Sequence, residues 1–354
     1  MRARNRLRVG FVALCDSAAL VLAQELGFYE RYGLQVELSR EPGWATIRDK
    51  IILRELDAAQ ATAAMVFATT LGLNCIRSEC VTGLVLNLQG NAITLSLKLW
   101  EAGVKDGESL ERHIRARREK PPLTFGVVFR FSSHNFLLRK WLREHKIVPD
   151  RDVRIVVVPP AQMVSNLKAG HLDGYCVGEP WNSMAVRQRV GWVTATSGTI
   201  AARHPEKVLM VRRDFAETRA DEHLRLIAAL REAADYCEQP DNRGEVAETL
   251  SQPRYVNAPA EALRSSLIGP FDFGDGRKET ISDFHILSGD DLGEPTLDRA
   301  SWVLAQLREN GAVEHPKTAD AELAAAVFRP DIFAAAGQLD GIHGLRKSLV
   351  IQPC

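Results

Sequence analysis

The first forty residues restrict the fold most. The run Leu7–Leu14 reads as a buried strand. Asp16 and Ser17 then stand where a helix is capped, and Leu20, Val21, Ala23, Gln24, Phe28 and Tyr32 follow at near-helical spacing until Gly33 stops it. Leu34–Leu38 reads as the next strand. Two strands joined across a helix pair in parallel, so the chain opens as a βαβ unit, which places ligand chemistry near the carboxyl ends of its strands.

Further along, Pro42-Gly43-Trp44 leads into a helix over Ala45–Glu55, a short strand begins at Leu56, and Leu84–Ser96 reads as extended. The charged stretch Glu101–Lys120, closed by Pro121-Pro122, reads as an exposed helix and a crossover. The pattern restarts at Leu123: strand Leu123–Phe129, helix Asn135–His145, strand Arg154–Val158, helix Gln162–Ala169 and strand Leu172–Val177. Strand Val208–Arg212 then opens a helical final third with helices near Glu222–Glu238, Arg243–Leu250, Ala260–Leu267 and Leu297–Asn310. Leu53–Ala59 and Leu167–Tyr175 echo each other as a helix end followed by Leu-Asp and a strand start. The expected fold is therefore α/β with two lobes. Residues 1–100 and 205–354 form the first lobe and residues 101–204 the second.

With 354 residues, 45% of them apolar, the chain can fill two cores. Lys+Arg and Asp+Glu balance at 45 each, so no net field recommends nucleic acid or an anionic membrane as a direct partner. The six cysteines lack a CxxC or a Cys/His cluster at metal spacing, which predicts neither zinc nor a disulfide framework; no metal and no cofactor are expected. Arg residues before an apolar run superficially copy an export signal. Asp16 interrupts that run, Leu14 is not the small residue a lipoprotein site needs before Cys15, and cleavage would remove the first strand. With no run approaching ~18 apolar residues, the expectation is a cytoplasmic protein without a membrane segment.

Six segments carry a resemblance. They are Gly10–Leu20, Ala23–Glu37, Gly43-Trp-Ala-Thr-Ile-Arg-Asp49, Val157–Met163, Cys176-Val-Gly-Glu-Pro-Trp-Asn182 and His204-Pro-Glu-Lys207. Together they resemble the nitrate and bicarbonate substrate-binding proteins of ABC transporters, over about residues 7 to 275. The resemblance implies a two-lobed periplasmic-binding-protein-like fold of type II with the ligand cleft between lobes. Because the family's transport members are exported, the chain read without a signal resembles the cytoplasmic NasS-type branch of nitrate/nitrite sensors. That branch implies regulation of an ANTAR-type RNA-binding antiterminator of the NasT type. The alternative is the substrate-binding component of a nitrate or bicarbonate ABC transporter.

The resemblance also implies a pocket. A small anion stripped of water needs inward-pointing donors and charge compensation. Lys207 would be the counter-charge, although a lysine beside a strand is ordinarily a solvated surface residue. His134 would donate from its ring, and Trp44 from its indole N–H at a helix start, unless Trp44 only fastens the lobes. Gln60 and Asn91 would supply side-chain amides, with Gln89 as the substitute for Asn91, and Pro160 would present backbone groups. Asp16 reads as a helix N-cap and Glu179-Pro-Trp181 as a structural turn. Thiamine-pyrimidine synthases, enzymes of the same fold, carry a CCCFC signature that is absent here, as are GxSxG and P-loop motifs, so no catalysis is expected. The mechanism expected is hinge closure around nitrate or nitrite. Lys207→Ala should abolish useful nitrate binding, and near-normal affinity by titration calorimetry would contradict the assignment.

Overall fold

The computed structural model describes residues 6–117, 120–289, 292–314 and 320–339. Four strands come first, β1 (Leu7–Val12), β2 (Val36–Glu41), β3 (Ala58–Thr62) and β4 (Cys80–Gln89), and a second group follows: β5 (Asn91–Ser96), β6 (Leu123–Val127), β7 (Val153–Val157), β8 (Gly174–Gly178) and β9 (Gly191–Thr196). The chain then runs through β10 (Pro205–Arg212), β11 (Phe271–Asp272), β12 (Lys278–Glu279) and β13 (His285–Ile286). A six-stranded sheet, ordered β13-β4-β10-β3-β1-β2, belongs to one lobe, and a five-stranded sheet, ordered β7-β6-β8-β5-β9, to the other. The opening βαβ unit forms as expected: β1 pairs β2 in parallel across helix Ala18–Glu25.

The chain changes sheet at one residue. Leu84–Ser96, expected as a single extended stretch, is two strands in different sheets separated by Gly90. The crossover thus lies about ten residues before the expected boundary at 100/101. The charged stretch after it is not the crossover; it carries the capped helix Gly107–Ala116 on the second lobe. The return passes between Thr196 and Pro205. Helix Ala63–Leu71, which the sequence pattern does not announce, is buried over Ala63–Thr70.

A third segment ties the sheets together. Between helix Ala260–Leu267 and β13, the chain crosses onto the second sheet, where Phe271, Phe273 and Phe284 pack with Ala92 and Val193. The Val193 N–H donates to Phe273 O at 2.7 Å. The segment then returns to the first sheet, where His285 pairs with Gln89. Among the described residues no helix is long and apolar enough to cross a membrane.

Gly90 is required where it stands. Its φ is +92°, and a Cβ there would lie 2.5 Å from His285 Nδ1. Gly90→Ala should therefore lower unfolding free energy by about 2 kcal/mol or more, from left-handed backbone strain plus the clash. Denaturant titration showing an unchanged midpoint would contradict this.

Candidate functional site

Where the lobes meet, polar side chains from six parts of the chain form one buried cluster. Asp16, Trp44, Gln60, Asn91, His134, His204, Glu206 and Lys207 are each at most 2% exposed. Lys207 is therefore not the solvated surface residue that composition favours. Its Nζ lies 2.8 Å from Asp16 Oδ2, 2.6 Å from Glu206 Oε1 and 5.3 Å from the centre of the Trp44 ring.

Adjacent strand residues normally point to opposite faces, yet Glu206 and Lys207 grip each other. The register of β10 against β4 shifts on both sides of Lys207, a bulge that turns both side chains into the junction. Glu206 is the hub. Its Oε2 accepts from Asn91 Nδ2 at 2.7 Å, from the Ser133 hydroxyl and from His204 Nε2 at 3.1 Å, and His134 Nε2 lies 3.7 Å from its Oε1. Asp16 accepts from Gln60 Nε2 at 2.6 Å, while Gln60 Oε1 accepts the Val12 N–H at 3.1 Å. Asp16 makes no helix-capping bond; it is a partner of Lys207, because it follows β1 directly into the junction.

Burial and neighbours pull the charges apart. Burial outweighs Lys207 and Gln60 at Asp16 and raises its pKa, whereas at Glu206 the Lys207 ammonium and the two histidines overcome burial and hold the carboxyl well below its ordinary range. Burial alone would lower the Lys207 pKa, but the two carboxylates raise it. Burial pushes the His134 ring down to about 3, against the attraction of Glu206. Lys207, expected as the counter-charge, shares its charge with two carboxylates, so removing it strands both and costs fold stability.

Several polar atoms beside this network are buried with no hydrogen-bond partner among the described residues: Trp44 Nε1, Asn91 Oδ1 and both ring nitrogens of His134. Trp44 is the first residue of helix Trp44–Ile52, and His134 lies in the first turn of helix Ser133–Glu144, so both stand at the positive ends of helices. Gly178, opposite Asn91, lets the strand pack closely on the cluster; a Cβ there would come 3.3 Å from Asn91 Oδ1, 3.4 Å from Leu14 Cδ2 and 3.6 Å from Asp16 Oδ2. Of the residues expected from the sequence, the junction gathers Trp44, Gln60, Asn91, His134 and Lys207. Gln89 is not the substitute for Asn91, since its side chain turns away to Asp283 O and the Arg203 N–H. Pro160 is buried at the start of a 3-10 turn, and no hydrogen bond of the cluster reaches it among the described residues; Gln162 is an exposed helix-start residue.

Asp16, Ser133, Gly178, His204 and Glu206 were not anticipated as site residues. The segment His204–Lys207 held a usable signal, a carboxylate and an ammonium side by side in a strand that is buried at every position. Among the described residues no group of three His, Cys, Asp or Glu side chains is arranged to hold a metal ion.

The lobes touch directly around the cluster. The Cys15 N–H donates to Glu179 O at 2.8 Å, Trp181 Nε1 to Ala13 O at 3.1 Å, and the Thr62 hydroxyl to Phe131 O at 2.8 Å.

The sequence profile described as the NMT1-like family matches residues 2–251. A nitrate import ATP-binding protein, NrtC, of Synechocystis sp. strain PCC 6803 is 42% identical over 93% of this chain and 49% of its own length. A bicarbonate transport ATP-binding protein, CmpC, of Synechococcus elongatus is 36% identical over 95% of this chain and 50% of its own length. The chain thus spans about half the length of these curated relatives. The crystal structure of the periplasmic nitrate-binding protein NrtA from Synechocystis PCC 6803 superposes with a TM-score of 0.90 at 28% identity, covering 96% of this chain and 89% of that one. The fold is therefore the two-lobed binding-protein fold.

Glu179 bears on stability at this junction. Burial lifts its carboxyl from an ordinary 4.5 to about 7, against hydrogen bonding from Ser183, and its Oε1 has no partner among the described residues. With the folded value raised, its contribution to stability is complete below about 4.5 and is lost as pH rises through about 7. Glu179→Gln should remove a loss on the order of 3 kcal/mol between pH 4.5 and 8. Parallel stability–pH curves for the variant and the parent would contradict it.

Proposed function

The chain belongs to the NMT1-like family, and from that premise we propose that it is the substrate-binding module of an import system for a small planar oxyanion, nitrate first. The observation that carries this is the set of buried donors without a partner among the described residues, Trp44 Nε1 and the His134 ring, beside Lys207 where the lobes meet. An oxyanion accepting from them exchanges its water for fixed N–H groups. The similarity to NrtA, whose name states nitrate binding, supports nitrate. Although NrtC and CmpC are named as ATP-binding proteins, this chain has no GxxxxGK[ST] segment, so nucleotide binding is no part of the proposal.

Bicarbonate is the second reading, and one observation favours it. Asn91 gives its N–H to Glu206 and leaves Oδ1 as a buried acceptor. Bicarbonate has an O–H to donate to it; nitrate has none.

The NasS-type role, in which the same pocket works in the cytoplasm as a nitrate/nitrite sensor and controls a NasT-type antiterminator, rests on the sequence resemblance alone. The relatives named for import favour the transport role. In either setting the anion stabilises the closed arrangement in proportion to its differential affinity for it.

A melting-temperature panel with nitrate, nitrite, bicarbonate and an alkanesulfonate at constant ionic strength tests the proposal. Ligand at 100 times its Kd stabilises by about 2.7 kcal/mol, a readable shift. Nitrate should shift most. A larger shift with bicarbonate selects the second reading, and no shift with any planar oxyanion overturns both. Co-purification of an antiterminator that changes with nitrate would restore the sensor.

A further inference from the structure

We propose that the anion enters this site together with a proton, and that the proton settles on the ring of His134. The inference rests on the oxyanion-binding reading above and adds its linkage to pH.

The argument is one of charge and hydrogen-bond capacity. Asp16 and Glu206 bring two negative charges and Lys207 one positive charge, all within 2.8 Å contacts and at most 2% exposed. His204 lies against Ala201 O at 2.7 Å through Nδ1 and against Glu206 Oε2 at 3.1 Å through Nε2, and counting its ring as a cation adds at most one positive charge. Even so, the cluster carries no surplus of positive charge. A buried anion added to it needs a cation that is not yet there.

The carboxylates are not the place for the proton. Burial raises the Asp16 pKa, but both its oxygens already accept N–H donors and a proton there would displace one of them, while Glu206, which accepts from Asn91, Ser133, His204 and Lys207, is held ionised. His134 alone in the cluster has two ring nitrogens with no hydrogen-bond partner among the described residues. One can face the incoming anion while the other gains the proton toward Glu206 Oε1, now 3.7 Å away.

The groups that set this balance are few. Glu206 of β10 favours the charged ring, while Lys207 of β10 and His204 of the preceding turn oppose it, and Asp16 stands behind Lys207. On the helix that carries His134, Ser133 and Asn135 are uncharged, and Arg139 is committed to Asp150. Without an anion, burial keeps the ring neutral. An anion at hydrogen-bond distance reverses that, since opposite charge close by favours the protonated form.

The test is titration calorimetry of nitrate into the whole chain in bis-tris, imidazole and Tris, cationic buffers that cannot occupy an anion pocket. At pH 7 the observed heat should vary with buffer ionisation enthalpy with a slope of about one proton taken up per nitrate, and affinity should weaken about tenfold per pH unit above 7. His134→Gln, which keeps a neutral N–H donor, should bind more weakly with a slope near zero and no pH dependence. His134→Asn serves the same purpose if the first variant does not melt cooperatively. Nitrate binding by the parent with no proton uptake overturns the proposal, as does a variant that still takes up the proton. Absence of any nitrate binding by the parent removes the oxyanion reading itself, and this proposal with it.

Discussion

An ammonium held between two carboxylates away from water needs every partner in place, and in this protein each partner comes from a different stretch of chain. Asp16 follows β1, Gln60 lies in β3, Asn91 opens β5, Ser133 and His134 start a helix of the second lobe, and Glu206 and Lys207 lie in β10. Breaking such a pair from one side typically costs about 3–5 kcal/mol, far more than a surface ion pair contributes. The cluster therefore does two things at once. It fastens the lobes through Glu206, which takes hydrogen bonds from Asn91 and Ser133 of one lobe while belonging to the other, and it sets the electrostatic potential at the junction.

That arrangement explains why the junction is polar without being strongly positive. Its loose ends among the described residues are neutral, the Trp44 and His134 rings at the starts of two helices and the Asn91 amide oxygen, and its formal charges are paired with each other. Selectivity in such a site would come from the geometry of the N–H groups more than from bulk attraction.

Much of the fold was legible in the sequence because it is periodic. The opening βαβ unit, the restart at Leu123 and helix Ala260–Leu267 all follow from apolar spacing. What escaped has no period. Helix Ala63–Leu71 is apolar nearly all round, so it carries no amphipathic signature, and the change of sheet at Gly90 is a single residue inside a long extended run. At the site, Trp44, Gln60, Asn91, His134 and Lys207 were found through resemblance and do converge. The carboxylates were missed for physical reasons: Asp16 sits where helix caps sit, and Glu206 should face away from Lys207 unless a bulge intervenes. Pro160 carried over from the pattern but takes no part in the hydrogen bonds that bind the cluster.

The segment that leaves helix Ala260–Leu267, lays three phenylalanines on the second sheet and returns as β13 has a mechanical consequence. It meets both covalent crossings in one place: His285 pairs with Gln89 next to Gly90, and the Asn91 N–H donates to Ser197 on the return path at 3.2 Å. Joints gathered along one edge let two bodies swing and forbid them to slide. The lobes also meet beside the cluster, where Thr62, the strand partner of Lys207, bonds Phe131 and Trp181 bonds Ala13, and this seam behaves as a caliper. A guest too large for the junction would part this seam and forfeit those bonds, so its size is gauged by the lobe contacts that border the cluster.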